Sequence, residues 1–142
     1  MRVSAKADYA VRAARPPVLV LAGGSNVVVA DQGFPGTVVH VRSRGVTRAG
    51  KRLTVAAGEP WDAFVAACVA DGLAGVECLS GIPGSTGATP IQNVGAYGQE
   101  VAETITGVRV YDRERDLIEE LPPEACAFAY RSSAIAAPGL AA

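Results

Sequence analysis

The chain has 142 residues, 13 Lys and Arg against 14 Asp and Glu, and a formal net charge of −1, enough for one ordinary domain and with no basic field to gather nucleic acid. With 49% apolar and 19% charged residues, the composition is globular and excludes a disordered chain. One histidine, His40, and three spaced cysteines, Cys68, Cys78 and Cys126, exclude a multi-histidine metal site and provide no C-x-x-C zinc or disulfide framework, so a reducing, cytoplasmic setting is expected.

Residues 1–14, MRVSAKADYAVRAA, carry a weak helical pattern. Arg15-Pro16-Pro17 breaks it, because proline lacks a backbone donor and disfavours helix at the residue before it. Val18–Ala22, VLVLA, is a short apolar run bounded by turn residues, as in a strand buried on both faces. A tight turn, Gly23-Gly24-Ser25-Asn26, follows. Val27–Ala30 reads as another short strand, Thr37–Val41 as a β-branched one and Leu53–Ala57 as a further one. The period then changes. Pro60 suits a first helical turn, and Trp61, Phe64, Val65, Cys68 and Val69 recur at i, i+3, i+4, i+7 and i+8 as one apolar stripe. Gly72 supplies the stop, so a helix is expected over Pro60–Asp71. Thr106–Tyr111 alternates as a strand. Asp112–Asp116 is a charged turn into a strand at Leu117–Leu121, Pro122–Cys126 a helical turn, and Phe128–Ser133 a last short strand. No apolar run is long enough to span a bilayer. Short strands, one firm helix and long glycine loops make the class α+β.

Two glycine-rich stretches carry the chemistry. Gly23–Asn26 follows a strand, where glycines let backbone N–H groups converge on an anion, with Ser25 and Asn26 as side-chain donors. No lysine follows, so it is not the phosphate loop of nucleotide triphosphatases. A plain turn is the other reading. The second stretch, Ser80–Glu100, SGIPGSTGATPIQNVGAYGQE, is long and almost uncharged. A loop of this length within a compact domain is functional or disordered. Its glycines are spaced G-x-x-G-x-x-G, unlike the Rossmann fingerprint. Ser85, Thr86, Thr89, Gln92 and Asn93 are neutral hydrogen-bonding groups suited to a large, polar, anionic ligand such as a dinucleotide, whereas a solvated loop normally carries more charge. Tyr97 either stacks on a ligand or packs. Arg131 either clamps a carboxylate or phosphate or is a solvated surface arginine.

Residues 18 to about 135 resemble the UDP-N-acetylenolpyruvoylglucosamine reductase (MurB) family of flavoenzymes. The resemblance rests on LAGGSNVVVADQGFPGTVV, on GEPWDAFVAACVADGLAGVECLSGIPGSTGATPIQNVGAYGQEV and on CAFAYRSS. Ala22 stands where the family usually has a third glycine. The resemblance implies an α+β FAD-binding fold of the PCMH/VAO type, with two small α/β subdomains clasping FAD, here incomplete at both ends. It divides the chain into an atypical segment at 1–17, an FAD-binding domain at 18–135 and a tail at 136–142, with the substrate domain absent. It implies that Gly23, Gly24, Ser25 and Asn26 hold the pyrophosphate. Gly81, Ile82, Pro83, Gly84, Ser85, Gly87, Ala88, Thr89, Gln92, Asn93 and Gly95 run under the rest of the cofactor. The loop would then be uncharged because it faces a cofactor.

The implied reaction passes hydride from NADPH to FAD, then to the enolpyruvyl double bond of a UDP-sugar in peptidoglycan synthesis. Arg131 matches the family's active-site arginine, which stabilises an enolate-like intermediate, and Tyr97 matches a tyrosine near the substrate. The family's proton-donating serine and assisting glutamate have no counterpart in the chain, so the expectation is a truncated enzyme with little or no turnover, or an FAD-binding fragment. Nucleic acid and membrane are not expected as partners. Self-association through an uncovered apolar face is. Residues 1–14 separately resemble the start of an unrelated winged-helix repressor family, which implies a splice at Arg15-Pro16-Pro17.

Overall fold

The computed structural model describes residues 1–4, 17–136 and 140–141. Arg15 and Pro16 of the expected splice and most of the segment that resembles a repressor lie outside these residues.

The main sheet has six strands: β1 (Arg2–Ser4), β4 (Val46–Ala49), β5 (Arg52–Ala56), β8 (Gly107–Asp112), β9 (Leu117–Leu121) and β10 (Leu140–Ala141). Its centre is parallel. β1 lies between β5 and β8, with Arg2 opposite Thr54 on one side and Gly107 on the other. This corrects the helical reading of the first residues, since Arg2–Ser4 is a strand. β4 pairs antiparallel with β5, and β9 with β8. A strand has two edges, so β10, opposite Tyr111 and Asp112, shares the remaining edge of β8 with β1. Two smaller sheets complete the set. One joins β2 (Val18–Leu21) in parallel to β3 (Thr37–His40), and the other joins β6 (Gly95–Ala96) to β7 (Gln99–Glu100).

The single helix described, α1 (Trp61–Ala70), starts after Pro60 and ends at Asp71, as the proline and the Gly72 stop dictate. Trp61, Phe64, Val65 and Cys68 are buried and Val69 is 53% exposed, so the stripe is one residue narrower than expected. Those four pack on Leu53 and Val55 of β5, on Val108 and Val110 of β8, and on Leu79, Val101, Ile105, Cys126 and Ile135. Fully burying a side chain of this kind stabilises by about 1.5–3 kcal/mol. A second, smaller contact places Val39 of β3 on Tyr111, with Val18, Val20 and Ile118 around them.

Three expectations are corrected. Val27–Ala30 is not a strand but an exposed loop, Val28 fully so. β-branched residues favour strands only where a pleated surface receives them. Phe128–Ser133 is a turn closed by a bridge between Ala129 and Ser132. β2 is half-buried along its length instead of buried on both faces. β4 was not anticipated. All four of its residues are exposed and show no alternation, and it sits at the sheet edge with Arg48 bonded to Asp71 at 2.7 Å, a charge that blunts the edge.

Cys68 and Cys126 are buried and Cys78 is half-buried. Burial raises the first two thiols above their ordinary pKa. Iodoacetamide at mildly alkaline pH is expected to label Cys78 well before the others, and all three once urea unfolds the chain. Equal rates in the native protein would show the core to be open.

Candidate functional site

The long loop is built onto the end of β5 and the start of α1. Gly87 N donates to Ala57 O at 2.8 Å and Thr86 N to Glu59 O at 2.8 Å, while Pro60 and Ser85 form a bridge. A Cβ on Gly87 would lie 2.6 Å from Ala57 Cβ and 2.9 Å from its Cα, so only glycine lets the loop lie this close to the strand. Trp61 then grips the loop twice. Its backbone N donates to Gly84 O at 3.0 Å, and its Nε1 to Leu79 O at 2.9 Å. Gly87 sits in the middle of a 3-10 turn, Thr86–Ala88, that carries the chain on.

The Gly23–Asn26 turn faces this loop across a groove. Ser25 Oγ donates to Pro83 O at 3.4 Å and Asn26 Nδ2 to Gln92 Oε1 at 3.0 Å. Gly84, at φ +121°, leaves only 3.1 Å between a built Cβ and Ser25 Oγ. Two stretches about 60 residues apart in sequence thus form the two walls of one groove. The groove holds about 350 Å³ and is lined by Ser25, Asn26, Ile82, Pro83, Ser85, Ala88, Thr89, Ile91, Gln92, Val94 and Arg131. Among the described residues that line it, Arg131 carries the one charged side chain. Neutral donors, apolar patches and one cation suit a long anionic ligand with a flat apolar ring.

A second cavity of about 380 Å³ adjoins it, with Arg131 common to both. Tyr97 and Tyr130, 92% and 84% exposed, stand at this cavity with Gln99, Glu100 and Glu103. Among the described residues Arg131 makes one hydrogen bond, from Nη2 to Gly95 O at 3.2 Å. Its remaining guanidinium donors are available to an anion.

Asn93, Tyr97 and Arg131 all have φ between +41° and +54°. Non-glycine residues in this region carry about 1 kcal/mol or more of strain and gather at functional sites. The turn that holds Arg131 is sewn to the long loop. Asn93 Nδ2 donates to Ala129 O at 3.1 Å, and Ser133 Oγ donates to Ile91 O at 2.8 Å.

The anticipated residues divide into three groups. Ser25, Asn26, Ile82, Pro83, Ser85, Ala88, Thr89, Gln92 and Arg131 line the groove, and Gly95 and Tyr97 line the adjoining cavity. Gly23, Gly24, Gly81 and Gly84 shape the turns around them; Gly24 and Gly81 have φ of +69° and +79°. Asn93 and Gly87 face inward. Asn93 is 1% exposed and spends its amide on Glu100 Oε2 at 2.7 Å, Ala129 O, and the Ala102 N–H at 3.2 Å, so its side chain is scaffold and not a ligand donor. Asp62 was missed. It caps the Ser80–Gly81 bend, and its signal was only an acid in a helical first turn, a common feature.

A glycine-rich cradle between a turn and a long loop of an α+β fold, with one arginine at its end, has the character of a cofactor-binding domain. The model of the FAD binding domain matches residues 4–119, and the chain belongs to that family. It is 64% identical over 121 residues to the UDP-N-acetylenolpyruvoylglucosamine reductase of Salinispora arenicola (strain CNS-205), covering 82% of this chain and 33% of that protein. To the protein of the same name from Thermobifida fusca (strain YX) it is 56% identical over 122 residues, covering 82% and 34%. The crystal structure of UDP-N-acetylenolpyruvylglucosamine reductase (MurB) from Thermus caldophilus superposes with a TM-score of 0.77 at 30% identity, covering 98% of this chain and 51% of that one. The chain spans about a third of the length of these curated relatives.

Proposed function

We propose that this chain is the FAD-holding part of an NADPH-dependent reductase that converts UDP-N-acetylglucosamine enolpyruvate to UDP-N-acetylmuramate in the cytoplasm, for cell-wall synthesis and so for cell shape and division. The observation that carries the reading is the uncharged groove between Gly23–Asn26 and Ser80–Gly95, ending at Arg131. The residues present fit FAD. Backbone N–H groups and the Ser25 and Asn26 side chains suit a pyrophosphate, Ser85, Thr89 and Gln92 suit a ribityl chain, and Ile82, Pro83, Ile91 and Val94 suit a flat ring. Bound FAD would supply two-electron hydride chemistry between NADPH and a carbon–carbon double bond. Arg131 would hold negative charge where it develops on the substrate carboxylate, with Tyr97 beside it, while the loop wall excludes water. On this reading residues 18–135 form the cofactor domain, and the UDP-sugar is a partner of the whole enzyme.

A second reading is FAD binding without turnover. One experiment separates the two. Purified protein is mixed with FAD and desalted, and flavin absorbance and fluorescence quenching are recorded. Stoichiometric retained flavin is expected. NADPH oxidation dependent on the enolpyruvyl UDP-sugar would then establish reductase activity, and none would leave the binder. A folded protein that retains no flavin overturns both.

A further inference from the structure

Beyond the groove itself, the bond pattern at the start of α1 assigns a role to a side chain outside it. Asp62 Oδ1 accepts from Ser80 Oγ at 2.9 Å and from Gly81 N at 2.6 Å. The Gly81 N–H foremost, and the Ser80 hydroxyl next, hold the carboxyl below the usual carboxylate range. Trp61, its neighbour, bonds Leu79 O and Gly84 O on either side of that bend. Four bonds from two consecutive helical residues therefore fix the segment Leu79–Gly84. Ile82 and Pro83, which follow the bend directly, line the groove. Pro83 O also accepts from Ser25, so the bend sets the separation of the two cradle walls.

We propose that Asp62 is a positioning residue for the cofactor groove: by holding Ser80 and Gly81 it fixes the backbone that presents Ile82 and Pro83 to the flavin. The inference rests on the FAD reading above. It differs from ordinary stabilisation of a helix start. A first-turn carboxylate that served only the helix dipole would leave the Gly81 amide and the groove unaffected when removed.

The test uses the full chain with Asp62→Ala, Asp62→Asn and Ser80→Ala, three readouts and FAD as the probe. The readouts are the Gly81 amide exchange rate without FAD, the FAD Kd by fluorescence quenching, and the melting temperature without FAD. In D62A, Gly81 exchange is expected to rise about tenfold and the FAD Kd about tenfold, the order of a charge-assisted hydrogen bond reduced by exposure to solvent. Its melting temperature should fall by no more than a few degrees. D62N keeps a carbonyl oxygen for the Gly81 N–H and should show little of either effect, while S80A should produce a smaller share of them than D62A. Unchanged Gly81 exchange in D62A, or raised exchange with an unchanged Kd, overturns the proposal. So does a Kd that rises only in proportion to lost stability. A parent chain that binds no FAD overturns the reading of the groove instead, and is distinguished because it fails before any variant is made.

Discussion

Replacing Asn93 with alanine is expected to lower stability by about 2 kcal/mol, from the loss of three hydrogen bonds to partners that are half-buried or exposed, and to detach the Arg131 turn from the cradle. Asn93 is 1% exposed, and its amide makes three hydrogen bonds, to Glu100 Oε2, Ala129 O and Ala102 N. Alanine would strand all three and would occupy φ +41°, a region that asparagine tolerates better. Urea unfolding followed by circular dichroism measures the first effect. The second should appear as FAD affinity lost beyond what stability accounts for.

Asn93→Asp provides a signed control. It would place a second carboxylate where the Asn93 amide now lies 2.7 Å from Glu100 Oε2. Like charges at that distance raise the pKa of one of the pair. A carboxyl whose folded pKa is raised contributes most below its unfolded pKa, and that contribution is lost as pH rises through the folded value. N93D should therefore gain stability relative to the parent as pH falls from 7 to about 4–5, the ordinary carboxylate range. A pH-independent deficit would show that the Glu100 contact does not matter.

The second large effect falls on Trp61. It is fully buried, its ring centroid lies 5.7 Å from that of Phe64, and its Nε1 holds Leu79 O. Truncation to alanine is expected to cost about 3–5 kcal/mol, from lost transfer energy and the cavity left behind. Trp61→Phe retains most of the apolar contact, loses the bond to Leu79, and should cost less than half as much. Urea midpoints by circular dichroism compare the two, since tryptophan fluorescence disappears with the one tryptophan of the chain. Equal costs for the two variants would mean that the hydrogen bond outweighs the packing. The backbone N–H that holds Gly84 O is kept in both variants, so any difference between W61F and W61A at the groove wall would come from the ring packing that phenylalanine retains.

Local chemistry determined much of this protein. Pro60, Gly72 and the apolar spacing between them define α1 without reference to the rest of the chain. The alternation in β8, the charged turn and β9 form a local hairpin, with Val108 opposite Leu121. The uncharged, glycine-rich composition of Ser80–Glu100 marked it as the stretch to examine for a ligand, and the glycine spacing placed it outside the Rossmann class.

Tertiary structure decided the rest, because the deciding contacts are far apart in sequence. Val27–Ala30 has strand composition and no strand beside it, so propensity yields to an exposed loop. β4 is an edge with no buried face to impose alternation. Arg2–Ser4 becomes a strand because β5 and β8 leave a space between them that parallel pairing fills. Arg131 reaches φ +54° because Asn93 and Ser133 hold its turn from the far side of the loop. The clearest case is Gln92 and Asn93, adjacent and chemically alike. One lines the groove and bonds Asn26, while the other is buried and ties Glu100 to Ala129. Composition places a neutral amide at both positions. Which amide lines the groove and which ties the loop to its neighbours is set by the direction of the chain at φ +41°, and that direction exists only once the loop is packed against β5, β7 and the Arg131 turn.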